Sequence, residues 1–210
     1  MPRLRQVSRS EATEQVREVY QRLFGDRDPV SEPGTATGTP GNWWTVFALV
    51  PDVLAHAQAG FALVSSRARA MTPYQRELAI ARTGFTGGSR FVFSQHCKAA
   101  RAAGVPEEKV QAIPAWQVAN VFSEEDRAIL AYTDELILAD GRVQDATFEA
   151  LKTHLSNEAI LELSYAIGTY RMHAMLTRAL RLEYDDVDER VQEVAMPGGG
   201  AADVMGQISR

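Results

Sequence analysis

The 210-residue sequence has a single cysteine, Cys97, and no block rich in lysine or arginine. One cysteine cannot form a disulfide within the chain, and it excludes both a CxxC redox pair and a cysteine-rich metal site. A formal net charge of −5 without a basic cluster also lacks the footprint of a protein that binds nucleic acid or an anionic membrane. These absences exclude dithiol redox chemistry and make nucleic acid an unexpected partner.

Long apolar runs are missing as well. No stretch approaches the roughly 18 residues of a membrane span, and the first residues, MPRLRQVSRS, lack the apolar segment of a signal peptide. The expected setting is therefore the reducing cytoplasm, with no membrane partner. The four histidines show no HxxxH or HExxH spacing, so neither a metal nor another cofactor is expected.

What the chain does have is 45% apolar residues, arranged with helical spacing. Apolar positions predict a first helix over 9–24 with Ser10 as its N-cap. The segment 72–75, Thr-Pro-Tyr-Gln, has the pattern of a capping box and predicts a helix over 73–86. Ser89 can cap the next helix, which is expected to run to about residue 103.

The second half of the sequence repeats these signals. Ser123, followed by three acidic residues, predicts a helix that ends near residue 139. Asp145 and Ser156 are candidate caps for a short helix and for a long helix over about 157–182. Because no stretch alternates as a strand does, the predicted fold class is all-α, in a single helical domain.

Three regions are expected along the chain. Residues 1–42 form an N-terminal helix and a long loop, residues 43–185 form the helical domain, and residues 186–210 form a flexible tail. The loop over 25–42 is rich in Gly, Pro, Ser and Thr and is longer than an ordinary connection. It is therefore expected to be a functional arm, a lid or a mobile segment.

A carboxylate and an imidazole lie on the apolar faces of two adjacent predicted helices. Glu77 and His96 each share a face with apolar residues at helical spacing. A turn at Gly87-Gly88 can fold the two faces around one cavity, where a carboxylate and an imidazole could form a proton relay. The alternatives are an ion pair of Glu77 with an arginine and a structural hydrogen bond to a core histidine.

Cys97 follows His96 directly but lies about 100° further round the helix. If His96 points into a cavity, the thiol points elsewhere, so a buried and inert cysteine is the preferred interpretation. Five aromatic residues could line an apolar ligand pocket, although aromatics at helical spacing can equally be core. They are Trp43, Trp44, Phe91, Phe93 and Tyr170.

Several cations are candidates for binding an anionic substrate. Arg82 lies five residues after Glu77, which takes it off the inward stripe of the helix, so it is a weaker candidate for carboxylate binding. Arg171, His173 and Arg178 are offered by the last helix, where they could equally be solvated or interfacial charges.

The segment TPYQRELAIARTGFTGGSRFVFSQHCKAARAAGV, residues 72–105, resembles the central signature of the carboxymuconolactone decarboxylase superfamily, which includes the alkyl hydroperoxide reductase D-like (AhpD-like) proteins. The resemblance extends over about residues 43–183. It implies the all-α fold of AhpD-like proteins, and it implies a homo-oligomer, a trimer or a hexamer.

In the peroxidase-type members of this superfamily, a glutamate precedes a CxxC pair and a histidine. Matching Glu77 and His96 to that pattern places the two thiols at Ser89 and Val92, so both are absent here. This chain therefore cannot carry out the dithiol–disulfide exchange of those relatives. The decarboxylase branch needs no thiol pair and fits better, although its segment carries a second histidine where this chain has Gln95.

The sequence thus predicts a cofactor-free, decarboxylase-like enzyme that acts on a small enolisable acid or lactone. His96 is the expected proton donor or shuttle and Glu77 is expected to orient it. A carboxy-lyase is the preferred class, with an isomerase or a cyclase left open. The alternatives are a non-catalytic ligand-binding or assembly protein on the same fold and a thiol-dependent peroxidase that uses Cys97.

Overall fold

The computed structural model describes residues 1–186, and over that range the fold is all-α, as predicted, with no β-strand. The predicted tail lies outside the described residues apart from residue 186. The helices are α1 (Glu14–Phe24), α2 (Asn42–Phe47), α3 (Pro51–Ser65), α4 (Pro73–Thr86), α5 (Arg90–Ala102), α6 (Glu107–Ala112), α7 (Glu124–Leu138), α8 (Asp145–Lys152) and α9 (Asn157–Leu180), with 3₁₀ helices at Ile113–Val118 and Glu183–Asp186.

Local capping explains where the main helices begin. The Thr72 hydroxyl accepts the Gln75 N–H at 3.2 Å, while the Gln75 side chain accepts the Thr72 N–H at 2.8 Å, which completes the predicted capping box. A second capping box forms at Ser123 and starts α7. Because each cap satisfies backbone donors that have no partner within the helix, these two starts follow directly from the sequence.

Two predicted helix starts are wrong. Thr13, not Ser10, caps α1, because its side chain accepts the Val16 N–H. The residues before it form a turn in which Ser8 donates its N–H and its hydroxyl to Glu11. The short helix α8 begins with Asp145 itself, so that residue is not its N-cap.

Helix α4 is the centre of the fold. Every residue from 76 to 84 is buried, and α4 packs against α5, α7 and α9. A helix that is covered on all sides needs small residues where its neighbours come closest. Gly84 supplies such a position, since its backbone lies directly against the backbone of α5 at Phe93.

The turn at Gly87-Gly88 folds α5 back against α4, as predicted. Gly88 adopts a left-handed φ of 64°, which side-chain-bearing residues rarely reach. The N–H of Ser89 then donates to the Gly84 carbonyl at 2.9 Å, and the Ser89 hydroxyl caps α5 by accepting the Val92 N–H. The turn therefore fixes the relative position of the helices that bear Glu77 and His96.

The loop between α1 and α2 is tied to the far end of the described chain. The buried carboxylate of Glu183 accepts the N–H of Gly41 at 3.0 Å and that of Trp43 at 2.7 Å. In return, the Asn42 side chain accepts the Glu183 N–H. Two segments that are about 140 residues apart in sequence are therefore joined beside the start of α2.

Within residues 1–186, no helix combines the length and the apolar character that crossing a bilayer requires.

Candidate functional site

Glu77 and His96 meet inside the protein, as their helical phase predicts. The Glu77 Oε2 atom lies 2.7 Å from the Nδ1 atom of His96, and the other carboxylate oxygen accepts the Arg76 Nε–H at 2.7 Å. The side chain of Glu77 has no exposed surface and that of His96 is only 3% exposed. Arg76, Glu77 and His96 therefore form one buried chain of hydrogen bonds.

The charges of these three residues determine which of them carries a proton. Burial acts to raise the pKa of Glu77, but the charges and hydrogen bonds of His96 and Arg76 outweigh it and hold the pKa below the ordinary carboxyl value. An ionised carboxylate can only accept hydrogen bonds, so Nδ1 of His96 must carry the proton between them. Nε2 is then the ring nitrogen that a molecule beside His96 can reach.

His96 lines a cavity of about 70 Å³. Five helices (α1, α2, α3, α5 and α9) and the α1–α2 loop contribute to its wall, and the wall is mostly apolar and aromatic. Trp43 stacks on Phe47 at 4.0 Å, and Tyr170 packs edge-on against the His96 ring at 4.4 Å. Burial and then the charge of Glu77 raise the pKa of Tyr170 well above its usual value, so its phenol stays protonated.

Most of the predicted pocket aromatics do reach this cavity. Trp43 and Trp44 come from α2, Phe91 from α5 and Tyr170 from α9. Phe93 does not, because it lies on another side of α5, where it packs against Phe85 with ring centroids 5.6 Å apart. Phe93, which was predicted to contact a ligand, therefore belongs to the α4–α5 core and not to the cavity wall.

Arg82, the weaker candidate for binding a substrate carboxylate, also lies outside the cavity wall. Its guanidinium pairs with both carboxylate oxygens of Asp134, at 2.6 and 2.9 Å. The remaining donor, Nη1, bonds the carbonyls of Ile113 and Pro114. This buried, bidentate ion pair ties α4 to α7, and all three side-chain nitrogens of Arg82 are engaged in bonds within the protein.

The positions at which related redox proteins carry thiols have other roles here. Ser89 is fully buried, and its hydroxyl donates to Asp185 at 2.7 Å and lies 3.1 Å from the Thr177 hydroxyl. Val92 contributes an apolar surface to the cavity. Cys97 is 1% exposed, belongs to the hydrophobic core and does not line the cavity.

Several residues of the cavity wall were not predicted as pocket residues. Gln95 and His173 are both buried at the cavity, and Phe61 of α3 lies 4.6 Å from the His173 ring. The α1–α2 loop adds Thr35 and Thr39 to the wall. Gln95 adjoins His96 in the sequence, and His173 was a candidate only as a cation for an anionic substrate. Phe61 and the loop threonines reach the cavity through contacts between distant segments, which helical spacing does not predict.

The described part of the chain contains no set of side chains that could bind a metal ion. No group of three or more histidine, cysteine, aspartate or glutamate side chains within residues 1–186 is arranged to hold an ion. His96 and Glu77 bond each other instead.

Comparison with known proteins agrees with this architecture. Residues 51–135 match the carboxymuconolactone decarboxylase family. The uncharacterized protein YdfG of Bacillus subtilis (strain 168) is 27% identical over 94 residues, which are 44% of this chain. The aligned region covers 64% of YdfG, slightly less than two thirds of its length.

Solved structures share the fold at low sequence identity. The debrominase Bmp8, in complex with 2,3,4-tribromopyrrole, matches with a TM-score of 0.65 and 19% identity, over 87% of this chain and 92% of Bmp8. An uncharacterized peroxidase-related protein from Ralstonia eutropha JMP134 with an alkylhydroperoxidase AhpD core matches with a TM-score of 0.65 and 16% identity, over 85% of this chain and 93% of its own.

The helical architecture is therefore that of AhpD-like proteins. This fold and the match over residues 51–135 agree with the resemblance to the carboxymuconolactone decarboxylase and AhpD-like superfamily that was inferred from the sequence. The absence of a CxxC pair sets the chain apart from the dithiol peroxidases of that superfamily.

Proposed function

We propose that the protein is a cofactor-independent acid/base enzyme that acts on a small enolisable acid or lactone. The observation that supports this function best is the 2.7 Å contact between Glu77 and His96 at the wall of an apolar cavity. The reaction is a decarboxylation or a related proton transfer, such as an isomerisation or a cyclisation. His96 is the proposed catalytic base and acid, and Glu77 and Arg76 are proposed to position it.

The protonation of the pair gives a simple mechanism. Glu77 accepts the Nδ1–H of His96, so the lone pair of Nε2 is available to remove a proton from carbon next to a carbonyl group. The imidazolium that forms is stabilised by the ionised carboxylate of Glu77. Return of the same proton to another carbon completes an isomerisation. In a decarboxylation, His96 instead takes up a proton from solvent and donates it to the enolate that loss of CO₂ leaves.

The buried setting strengthens this arrangement. Water competes poorly for the pair because Glu77 is fully buried and His96 almost so, and an ion pair is stronger at low effective dielectric. A well-placed acid or base contributes about 10²- to 10⁴-fold to a rate. The named debrominase Bmp8, which binds a small ring compound, supports the idea that this fold can enclose a small molecule.

The main test follows proton transfer in D₂O by NMR. Two probes cover the proposed reactions: α-angelica lactone for isomerisation and acetoacetate for decarboxylation. Glu77→Gln and His96→Ala should each lower the rate by about 10²- to 10⁴-fold while the fold is kept. The exposed residues Glu18 and His56 allow matched controls, Glu18→Gln and His56→Ala, which should react as the wild type does.

The outcomes separate the alternatives. A folded Glu77→Gln, His96→Ala double variant with an undiminished rate would rule out the proposed relay. A wild-type protein that binds the probes without any reaction favours the non-catalytic ligand-binding alternative. Iodoacetamide should leave the rate unchanged, since Cys97 is buried outside the cavity wall, whereas inactivation by alkylation would favour the thiol-dependent peroxidase.

We also propose a homo-oligomer, a trimer or a hexamer, in the cytoplasm. One side of α9 supports association between copies, because four large apolar residues are exposed on it. Their exposed fractions range from 41% to 72%, and their spacing of three, four and seven residues keeps them on one face. They are Leu161, Tyr165, Met172 and Met175.

A further inference from the structure

Two polar side chains at the cavity have no hydrogen-bond partner in the protein. Both amide atoms of Gln95 and both ring nitrogens of His173 are buried and unpaired, and the residues are only 2% and 3% exposed. Buried polar atoms are almost always paired, so four such atoms at one cavity need a physical explanation. A ligand that supplies their partners is one.

The two residues stand beside the proposed catalytic group. Gln95 precedes His96 on α5, and both contribute to the cavity wall. His173 follows Tyr170 by one helical turn on α9, and the Tyr170 ring contacts that of His96 at 4.4 Å. A molecule that reaches Nε2 of His96 therefore comes close to both unpaired side chains.

The charge of the wall restricts which molecule this can be. Among the described residues that form the wall, none is lysine, arginine, aspartate or glutamate. The ammonium group of Lys98, on the same helix as His96, donates to the Thr37 carbonyl on the loop. Burial and then the charge of His96 lower the pKa of His173 to about 4, so at neutral pH it offers one N–H donor and one acceptor, without charge.

The other cations considered from the sequence are bound elsewhere. Arg171 donates to the Leu136 carbonyl and to Asp140, and Arg178 donates to the Gly88 carbonyl. A carboxylate that entered this apolar cavity would give up its water without gaining a lysine or arginine partner, which is unfavourable.

We propose that the cavity selects an uncharged, planar molecule, such as a lactone or an unsaturated cyclic ketone, whose polar atoms hydrogen-bond to Gln95 and His173. The rings of Trp43, Phe61 and Phe91 supply apolar surface for the rest of the ligand. This inference rests on the proposed function, since it names the substrate class of the same site. It favours proton transfer without loss of CO₂, because decarboxylation requires an anionic carboxylate in the cavity.

Benzamide and benzoate form a matched pair of probes, since they share one ring and differ in charge. Their affinities for the full chain can be measured by titration calorimetry or ligand-observed NMR at pH 7.5. Benzamide should bind at least about tenfold more tightly, which corresponds to one strong polar interaction. Equal or tighter binding of benzoate would overturn the proposal, and so would the failure of both probes to bind.

Variants of the unpaired side chains provide the second arm. Gln95→Leu and His173→Leu should each weaken benzamide binding about tenfold. Neither should lower Tm, and each should raise it by about 2–4 °C, because an unpaired buried polar group is removed. Exposed residues supply the controls, Gln15→Leu and His56→Leu. Unchanged benzamide binding in both variants, or a lowered Tm that reveals a structural role, would overturn the assignment.

Binding is read without turnover, so the two proposals can fail separately. Preference for benzamide in a protein that transfers no proton contradicts the enzyme function alone. Proton transfer on acetoacetate, together with preference for benzoate, contradicts the uncharged-substrate proposal alone.

Discussion

A methyl group added at Gly84 would collide with the backbone of the helix that carries His96. A Cβ built on Gly84 would lie 2.5 Å from the Phe93 nitrogen, 2.8 Å from its Cα and 3.0 Å from the Val92 carbonyl carbon. These are backbone atoms, so no side chain can rotate away. Because favourable contacts between carbon atoms begin at about 3.5 Å, Gly84→Ala must move α4 and α5 apart by about 1 Å.

The cost of that movement can be estimated. Overpacking a core costs about 1–3 kcal/mol, and contact with rigid backbone places Gly84→Ala at or above the upper end. Alanine is favoured over glycine within a helix by about 1 kcal/mol, which offsets part of the loss. A net loss of about 2 kcal/mol in the free energy of unfolding is expected, which lowers Tm by about 4–8 °C in a domain of this size.

The assay is urea and thermal unfolding beside a matched glycine. Gly60 lies within α3, and a Cβ there would meet no heavy atom within 4 Å. Gly60→Ala should therefore stabilise the protein by about 0.5–1 kcal/mol. The proton-transfer rate of Gly84→Ala should also fall, because separation of α4 and α5 lengthens the bond between Glu77 and His96. A Gly84→Ala protein as stable as the wild type would refute this reasoning.

Two further predictions concern pH and assembly. Burial raises the pKa of Glu183 to about 7 despite the N–H groups of Trp43 and Gly41, so the stability contributed by its bound proton is complete below pH 4.5 and is lost as pH rises through 7. Stability should fall by up to about 3 kcal/mol across that window, and Glu183→Gln should flatten the fall in a urea series; an equal slope in both proteins would contradict this. Native mass spectrometry should show trimers or hexamers at micromolar concentration, and a purely monomeric spectrum would contradict the proposed assembly.

Local chemistry made the central part of the fold predictable. The capping side chains of Thr72 and Ser123 bond groups that lie within three residues of them. The start of each helix can therefore be predicted from the local sequence. Helical phase placed Glu77 and His96 on inward faces, and the glycine turn between them constrained how the two helices meet. The contact at 2.7 Å agrees with that expectation.

Long-range packing made the rest unpredictable. Arg82 was correctly placed off the stripe of Glu77, but its partner Asp134 is 52 residues away, and no spacing rule connects them. His173 is drawn into the cavity by rings from α2 and α3. Phe91 and Phe93 are both phenylalanines of α5, yet only Phe91 faces the cavity. Phe93 packs against Phe85 instead.

The acid/base pair and much of the cavity wall come from different parts of the chain, so substitutions can change one without changing the other. The acid/base pair comes from helices joined by one short turn, whereas much of the wall comes from the α1–α2 loop, α2 and α3. The loop is held at Gly41 by the carboxylate of Glu183 and at Thr37 by the ammonium group of Lys98, and neither bond involves the acid/base pair. Exchange of loop residues such as Thr35 and Thr39 can therefore alter ligand choice while the reactive geometry stays intact, which makes this loop the natural target for engineering new substrate preferences.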